Sequence, residues 1–123
     1  MPNSTILIVE DNADNRQLTT WILEDAGYEV NSAETAEEGI EMLSKTAYDL
    51  VLMDISLPGM DGKQACKEIR ANSPKKDVPI IALTGYCLPE EQALILSCGA
   101  NVSLCKPAEE EELLAQVSLL LGK

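Results

Sequence analysis

Asp49-Leu50-Val51-Leu52-Met53-Asp54-Ile55-Ser56-Leu57-Pro58-Gly59-Met60-Asp61-Gly62 ends an apolar run with a carboxylate, and the fold follows from how that run is read. Leu50 to Met53 reads as a strand covered on both faces, as in a parallel sheet enclosed by helices. Asp54 then falls at the carboxyl end of the strand, where open parallel sheets form their binding crevice. The Pro58-Gly59 pair beyond it marks a turn.

Outward from this stretch, short apolar segments alternate with helical patterns. Strands are expected at Thr5 to Val9, Tyr28 to Asn31, Asp49 to Met53, Pro79 to Leu83 and Val102 to Cys105. The first helix is expected over about Ala13 to Ala26, with Leu18, Trp21, Ile22 and Leu23 at helical spacing, Trp21 read as packing, and Gly27 as the stop. Thr35 and Glu38 have the spacing of a capping box, with Glu38 reaching back to the cap of a helix that runs to about Lys45. A third helix follows Asp61-Gly62 and ends near Asn72; a fourth starts at Pro89, a favoured first position, and stops at Gly99. The last covers about Ala108 to Leu121, its Glu109 to Glu112 complementing the helix dipole. Five strands alternating with five helices require parallel crossovers, hence a doubly wound α/β sandwich.

The chain has 123 residues, which fits one domain spanning 1–123. Hydrophobic residues make up 46% but aromatics only 3%, so the core is built from aliphatic side chains and Met. A net charge of -12 repels nucleic-acid backbones and anionic membranes, so neither is expected as a partner of this chain alone. No histidine is present, which excludes Ser-His-Asp and Cys-His catalysis. Any phosphohistidine donor therefore lies on another polypeptide or outside this sequence. Cys66, Cys87, Cys98 and Cys105 form no C-x-x-C pair, and with no signal peptide or membrane-length run they are expected as free, mostly buried thiols in the cytoplasm.

In a doubly wound sheet the ends of the first, third, fourth and fifth strands meet around one crevice. Here those ends carry Glu10-Asp11, Asp54, Thr84 and Lys106. Two like charges about 4 Å apart repel by roughly 4 kcal/mol at an effective dielectric near 20, so three carboxylates need a positive partner. Lys106 is one, and a hard divalent cation such as Mg²⁺ is the other. A neutralised carboxylate is then a usable nucleophile toward a phosphoryl group, with Thr84 placed to donate its hydroxyl and Gly85 leaving room.

These residues resemble the receiver domain of two-component response regulators, which includes the single-domain chemotaxis regulators. The resemblance runs from Ile6-Leu7-Ile8-Val9-Glu10-Asp11 to the last helix. It rests on that acidic pair, Met53-Asp54-x-x-Leu57-Pro58-Gly59-Met60-Asp61-Gly62, Pro79-Ile80-Ile81-Ala82-Leu83-Thr84-Gly85, and Lys106-Pro107. It implies a flavodoxin-like (βα)5 fold, a five-stranded parallel sheet in the order 2-1-3-4-5. It further implies Asp54 as phosphoacceptor, with Asp11 and Asp54 as direct Mg²⁺ ligands, Glu10 acting through metal-bound water and the Ser56 carbonyl completing the set; Mn²⁺ is expected to substitute. Thr84 becomes the switch hydroxyl, Lys106 the phosphate-contacting base, and Lys106-Pro107 a cis peptide. Ser56 and Tyr86 flank the path of attacking water. The implied partner is a histidine kinase or histidine phosphotransfer protein, met by the first helix near Asn15 and Arg16, with the chain a monomer or transient dimer.

One position departs from the pattern: three residues before Lys106, where the family usually has an aromatic side chain that turns inward, stands Ser103. Phosphoryl relay or modest loop ordering is the expected output. Two other classes fit these residues less well. An aspartate-nucleophile phosphohydrolase carries a second acid two residues after the nucleophile, and Ser56 is there instead. A flavodoxin-like electron carrier cradles a phosphate after its first strand, where Glu10-Asp11 would repel it.

Overall fold

Successive side chains of a strand point to opposite faces, and in this chain both faces are apolar. The computed structural model describes residues 4–55, 59, 61–72, 77–85, 87–106 and 109–122. The expectations for Ser56, Pro58, Tyr86 and the Lys106-Pro107 bond lie outside the described residues. Elements follow in strict alternation: β1 (Thr5–Val9), α1 (Ala13–Asp25), β2 (Glu29–Ala33), α2 (Ala36–Lys45), β3 (Leu50–Asp54), α3 (Gly62–Asn72), β4 (Ile80–Thr84), α4 (Pro89–Ser97), β5 (Val102–Cys105) and α5 (Glu110–Leu121). All four strand pairings are parallel and the order is β2-β1-β3-β4-β5, the flavodoxin-like arrangement expected.

Odd and even strand positions build two cores. Leu7, Val9, Val51, Met53, Ile80 and Ala82 pack with α2, α3 and α4 through Leu43, Ile69 and Ile95. Ile6, Ile8, Leu50, Leu52, Ile81 and Leu83 pack with α1 and α5 through Leu23, Leu113 and Val117. Each of these side chains is 9% exposed or less, and burying one contributes roughly 1.5–3 kcal/mol before entropy is counted. Helices on both faces explain why the central strands read as unbroken apolar runs.

The edge strand was the least legible. β2 extends to Ala33 instead of stopping at Asn31, because its register against β1 runs from Thr5 opposite Glu29 to Val9 opposite Ala33. Its pattern leaves only Ala33 buried, so hydropathy carried no signal for its end. Trp21 also departs from expectation: it is 62% exposed on α1, and Leu23 is the buried residue of that helix. The helix starts follow local chemistry. Asn12 Oδ1 accepts from the Asn15 amide at 2.9 Å, Thr35 Oγ1 from Glu38 at 3.1 Å, and Asp61 Oδ1 from Gln64 at 2.9 Å. Glu38 reaches past the cap to accept from the Glu34 amide at 2.9 Å.

Two features hold the sheet in place, one at its amino-terminal edge and one at its carboxyl edge. Arg70 on α3 donates to the carbonyls of Val78 at 2.6 Å and Gly99 at 2.8 Å and to Asn101 Oδ1 at 2.8 Å, which ties α3 to the segments entering β4 and β5. Gly62 opens α3 directly beneath β3. A Cβ there would lie 2.7 Å from Ile55 Cα and closer still to the Asp54 carbonyl oxygen, both backbone atoms that cannot step aside. Gly62→Ala is therefore expected to destabilise the domain by about 1–3 kcal/mol, read from urea unfolding, the range for forced overpacking. An unchanged midpoint would show that the loop yields freely.

Candidate phosphoacceptor site

The parallel register carries four strand ends to one edge, and the polar residues collect there. Glu10 follows β1 and its amide donates to the Ala33 carbonyl at 3.0 Å, which fixes the loop against the sheet. Asp54 is the last residue of β3, one position further into the sheet than the sequence suggested. Thr84 closes β4 opposite Cys105, and its carbonyl accepts from the Lys106 amide at 2.8 Å. Glu10 is 5% exposed, Asp54 2% and Thr84 0%, whereas Asp11 is open to solvent.

These side chains meet as charges. Lys106 Nζ stands 3.1 Å from Glu10 Oε1 and 3.0 Å from Asp54 Oδ1. The Asn12 amide donates to Glu10 Oε2 at 3.2 Å. Carboxylate oxygens of Glu10, Asp11 and Asp54 lie within 4.8 Å of one another. Three acids thus face one ammonium, and when all are ionised the cluster carries an excess of two negative charges. Burial, then the hydrogen bond with Asp54, pushes the Glu10 carboxyl up to about 7, against the opposing pull of Asn12 and Lys106. Burial pulls the Lys106 ammonium down, and the Asp54 and Glu10 carboxylates more than offset it, so its value lies above that of an ordinary lysine. All-oxygen donors with uncompensated negative charge fit a hard divalent cation.

Arg16 was missed as a site element. Its guanidinium donates to the carbonyl of Glu10 at 2.9 Å and to Glu34 Oε1 at 3.3 Å, bracing the acidic loop from α1. No spacing rule marks such a contact, because it depends on how α1 returns over the loop. The sequence-derived residues Glu10, Asp11, Asp54, Thr84 and Lys106 all lie along this edge. Ser103 lies opposite Ala82 in β5, and its buried hydroxyl finds no hydrogen-bond partner among the described residues. The cysteines divide. Cys66 and Cys98 are free and buried as expected, but Cys87 and Cys105 are exposed and paired as a disulfide, because β5 and the segment before α4 bring their Cα atoms to 5.8 Å.

Residues 6–118 match the family model described as response regulator receiver domain. The chain belongs to the response regulator receiver domain family. The sensor protein GacS of Pseudomonas syringae pv. syringae is 40% identical over 93% of the chain, which spans only 13% of that relative. The transcriptional regulatory protein HprR of Escherichia coli K12 is 37% identical over 91% of it, matching 49% of the regulator. Among solved structures, the receiver domain of sensor histidine kinase PA1611 from Pseudomonas aeruginosa PAO1 superimposes with a TM-score of 0.90 at 35% identity, covering 98% of this chain and 99% of that one. That structure has a magnesium ion coordinated in its active site cleft. This chain is thus a receiver domain of two-component signalling, and membership in the family leaves the hydrolase and electron-carrier readings without support.

The raised Glu10 value gives the metal-free receiver a distinctive pH dependence. A carboxyl whose folded value of about 7 exceeds its ordinary 4.5 favours the fold when protonated, so its contribution is full below pH 4.5 and is lost as pH rises through about 7. Urea midpoints of the metal-free protein should therefore fall between about pH 5 and about pH 7.5 more steeply than those of Glu10→Gln. Mg²⁺ affinity, which requires ionised ligands, should rise over the same interval. Equal slopes in parent and variant would place the titration elsewhere.

Proposed function

We propose that the receiver takes a phosphoryl group from a phosphohistidine protein onto Asp54 and acts as a signalling phosphoacceptor with no turnover substrate. The observation that carries this reading is a buried Asp54 carboxylate 3.0 Å from the Lys106 ammonium, beside the Glu10 and Asp11 acids. Glu10, Asp11 and Asp54, with the Ser56 carbonyl, would hold Mg²⁺ or Mn²⁺. When bound, the cation supplies neutralising charge and Lewis-acid stabilisation of phosphoryl oxygens.

The chain's own groups do the rest. An Asp54 carboxylate oxygen attacks phosphorus while the phosphorus–nitrogen bond to the donor imidazole breaks, and the imidazole departs with the electron pair. Lys106, on its rigid strand end, stabilises negative charge on the transferring oxygens. Thr84 donates its hydroxyl to a phosphoryl oxygen once the group is on Asp54. Hydrolysis reverses the state, with Ser56 and Tyr86 proposed to set water access.

The donor would be a histidine kinase or histidine phosphotransfer protein, docked over α1 and the loops around Asp54, Gly85 and Lys106. Exposed Leu18 and Trp21 offer an apolar contact on that helix. With Ser103 at the usual aromatic position, the output is proposed to be relay or modest loop ordering. The chain is proposed to work as one domain over 1–123, in the cytoplasm, as a monomer or transient dimer. No helix among the described residues is long and apolar enough to cross a membrane.

Incubation with a small acyl phosphate and Mg²⁺, followed by intact mass, tests the reading. One phosphoryl adduct is expected on the parent and none on Asp54→Asn or without a divalent cation. Lys106→Ala should slow adduct formation by about 10- to 100-fold, as loss of a charge-stabilising donor does. An adduct on Asp54→Asn, or none on the parent at saturating donor, would overturn the assignment.

A further inference from the structure

The four cysteines fall into two chemically distinct pairs. Cys66 and Cys98 are buried in the α3 and α4 core, and burial pushes the Cys66 thiol up to about 12, which leaves it inert. Cys87 and Cys105 are both exposed, 18 residues apart in sequence and 5.8 Å apart at Cα, well within reach of a disulfide.

Their location gives the pair its meaning. Cys105 ends β5 between Ser103 and Lys106, and its register partner across the sheet is Thr84. Cys87 lies three residues beyond Thr84, immediately before Leu88, the N-cap of α4. A bond between them closes the span that carries Thr84 into α4 back onto the strand that carries Lys106. Ala82, Thr84, Ser103 and Cys105 share one sheet face by alternation. On that face Ser103 carries a small hydroxyl with no hydrogen-bond partner among the described residues, and Cys105 follows two residues along the same strand.

We propose that Cys87 and Cys105 form a reversible thiol modification site, oxidised by small-molecule disulfides, that tethers the segment after Thr84 to β5 and slows phosphoryl acceptance. The second part rests on Asp54 as phosphoacceptor. One cysteine thiolate attacks a sulfur of the small disulfide, whose sulfur–sulfur bond breaks and releases one thiolate. The second cysteine then displaces the other thiolate as the protein disulfide forms. The protein loses two protons and two electrons, and the small disulfide gains both to leave as two thiols. A reducing thiol reverses each step. Exposure of both residues makes the exchange accessible, while buried Cys66 and Cys98 take no part.

The test equilibrates the full chain in reduced and oxidised glutathione mixtures, quenches with acid, alkylates in denaturant, and maps the peptides by mass. Two of the four thiols should escape alkylation in the oxidising mixture, at Cys87 and Cys105, and recover on reduction. Cys66→Ser with Cys98→Ser should keep this behaviour and Cys87→Ser should abolish it. Four alkylated thiols under oxidising conditions, a cystine at other positions, or a glutathione adduct without ring closure would overturn the site. In a second arm, adduct formation from acyl phosphate with Mg²⁺ should be at least about threefold faster after reduction, a modest effect for releasing a positioning element, and Cys87→Ser should be indifferent to redox state. Equal rates would overturn the coupling. No adduct in either state would overturn the phosphoacceptor reading, and the thiol map would still decide the cysteine site.

Discussion

A single ammonium held between two buried carboxylates is the constraint on which the rest of this receiver depends. Lys106 touches both Glu10 and Asp54, residues that would otherwise repel one another in a poorly solvated edge. Removing one partner of such a buried group typically costs about 3–5 kcal/mol, because a charge is left without compensation. The ammonium does not balance the cluster, however. Burial, and then the hydrogen bond with Asp54, raises the Glu10 carboxyl to about 7 despite Lys106. A site that is electrostatically unfinished without a cation is suited to bind one, and then a dianionic phosphoryl group.

Everything around that cluster serves to keep it from relaxing. β1, β3 and β4 are buried on both faces, so the strand ends cannot shift singly. Arg16 braces the acidic loop and Gly62 lets α3 begin against the backbone of Asp54, while Arg70 ties the segments entering β4 and β5 at the opposite edge. Preorganisation of this kind is what makes fixed charges effective on a transferring group, since no reorganisation is required at the moment of transfer.

The readout side of the molecule is built differently. In place of an aromatic side chain the α4 face carries Ser103, and next to it Cys105 joins Cys87 across the entrance to α4. A covalent tie there restrains the span in which Thr84 would have to respond to a phosphoryl group. The exposed apolar residues Leu18 and Trp21 lie on the other sheet face, on α1. The proposed chemistry, the proposed partner contact and the proposed restraint of the switch thus occupy separate elements around one edge.

Local pattern was sufficient for much of this. Unbroken apolar runs bounded by turn residues identified β1, β3 and β4, and Thr35 and Pro89 marked helix starts through chemistry that acts over three or four residues. Since a doubly wound sheet must gather its strand ends, sequence alone assigns Glu10, Asp11, Asp54, Thr84 and Lys106 to one crevice. The end of β2 could not, because an edge strand is set by its neighbour's hydrogen bonds and leaves little hydrophobic trace. Nor could the exposure of Trp21, the reach of Arg16 to the Glu10 carbonyl, or the meeting of Cys87 with Cys105. Sequence by itself determined which residues are chemically competent and on which elements they lie; the tertiary structure alone decided which of them touch, because contact distances depend on how packed helices return over the sheet.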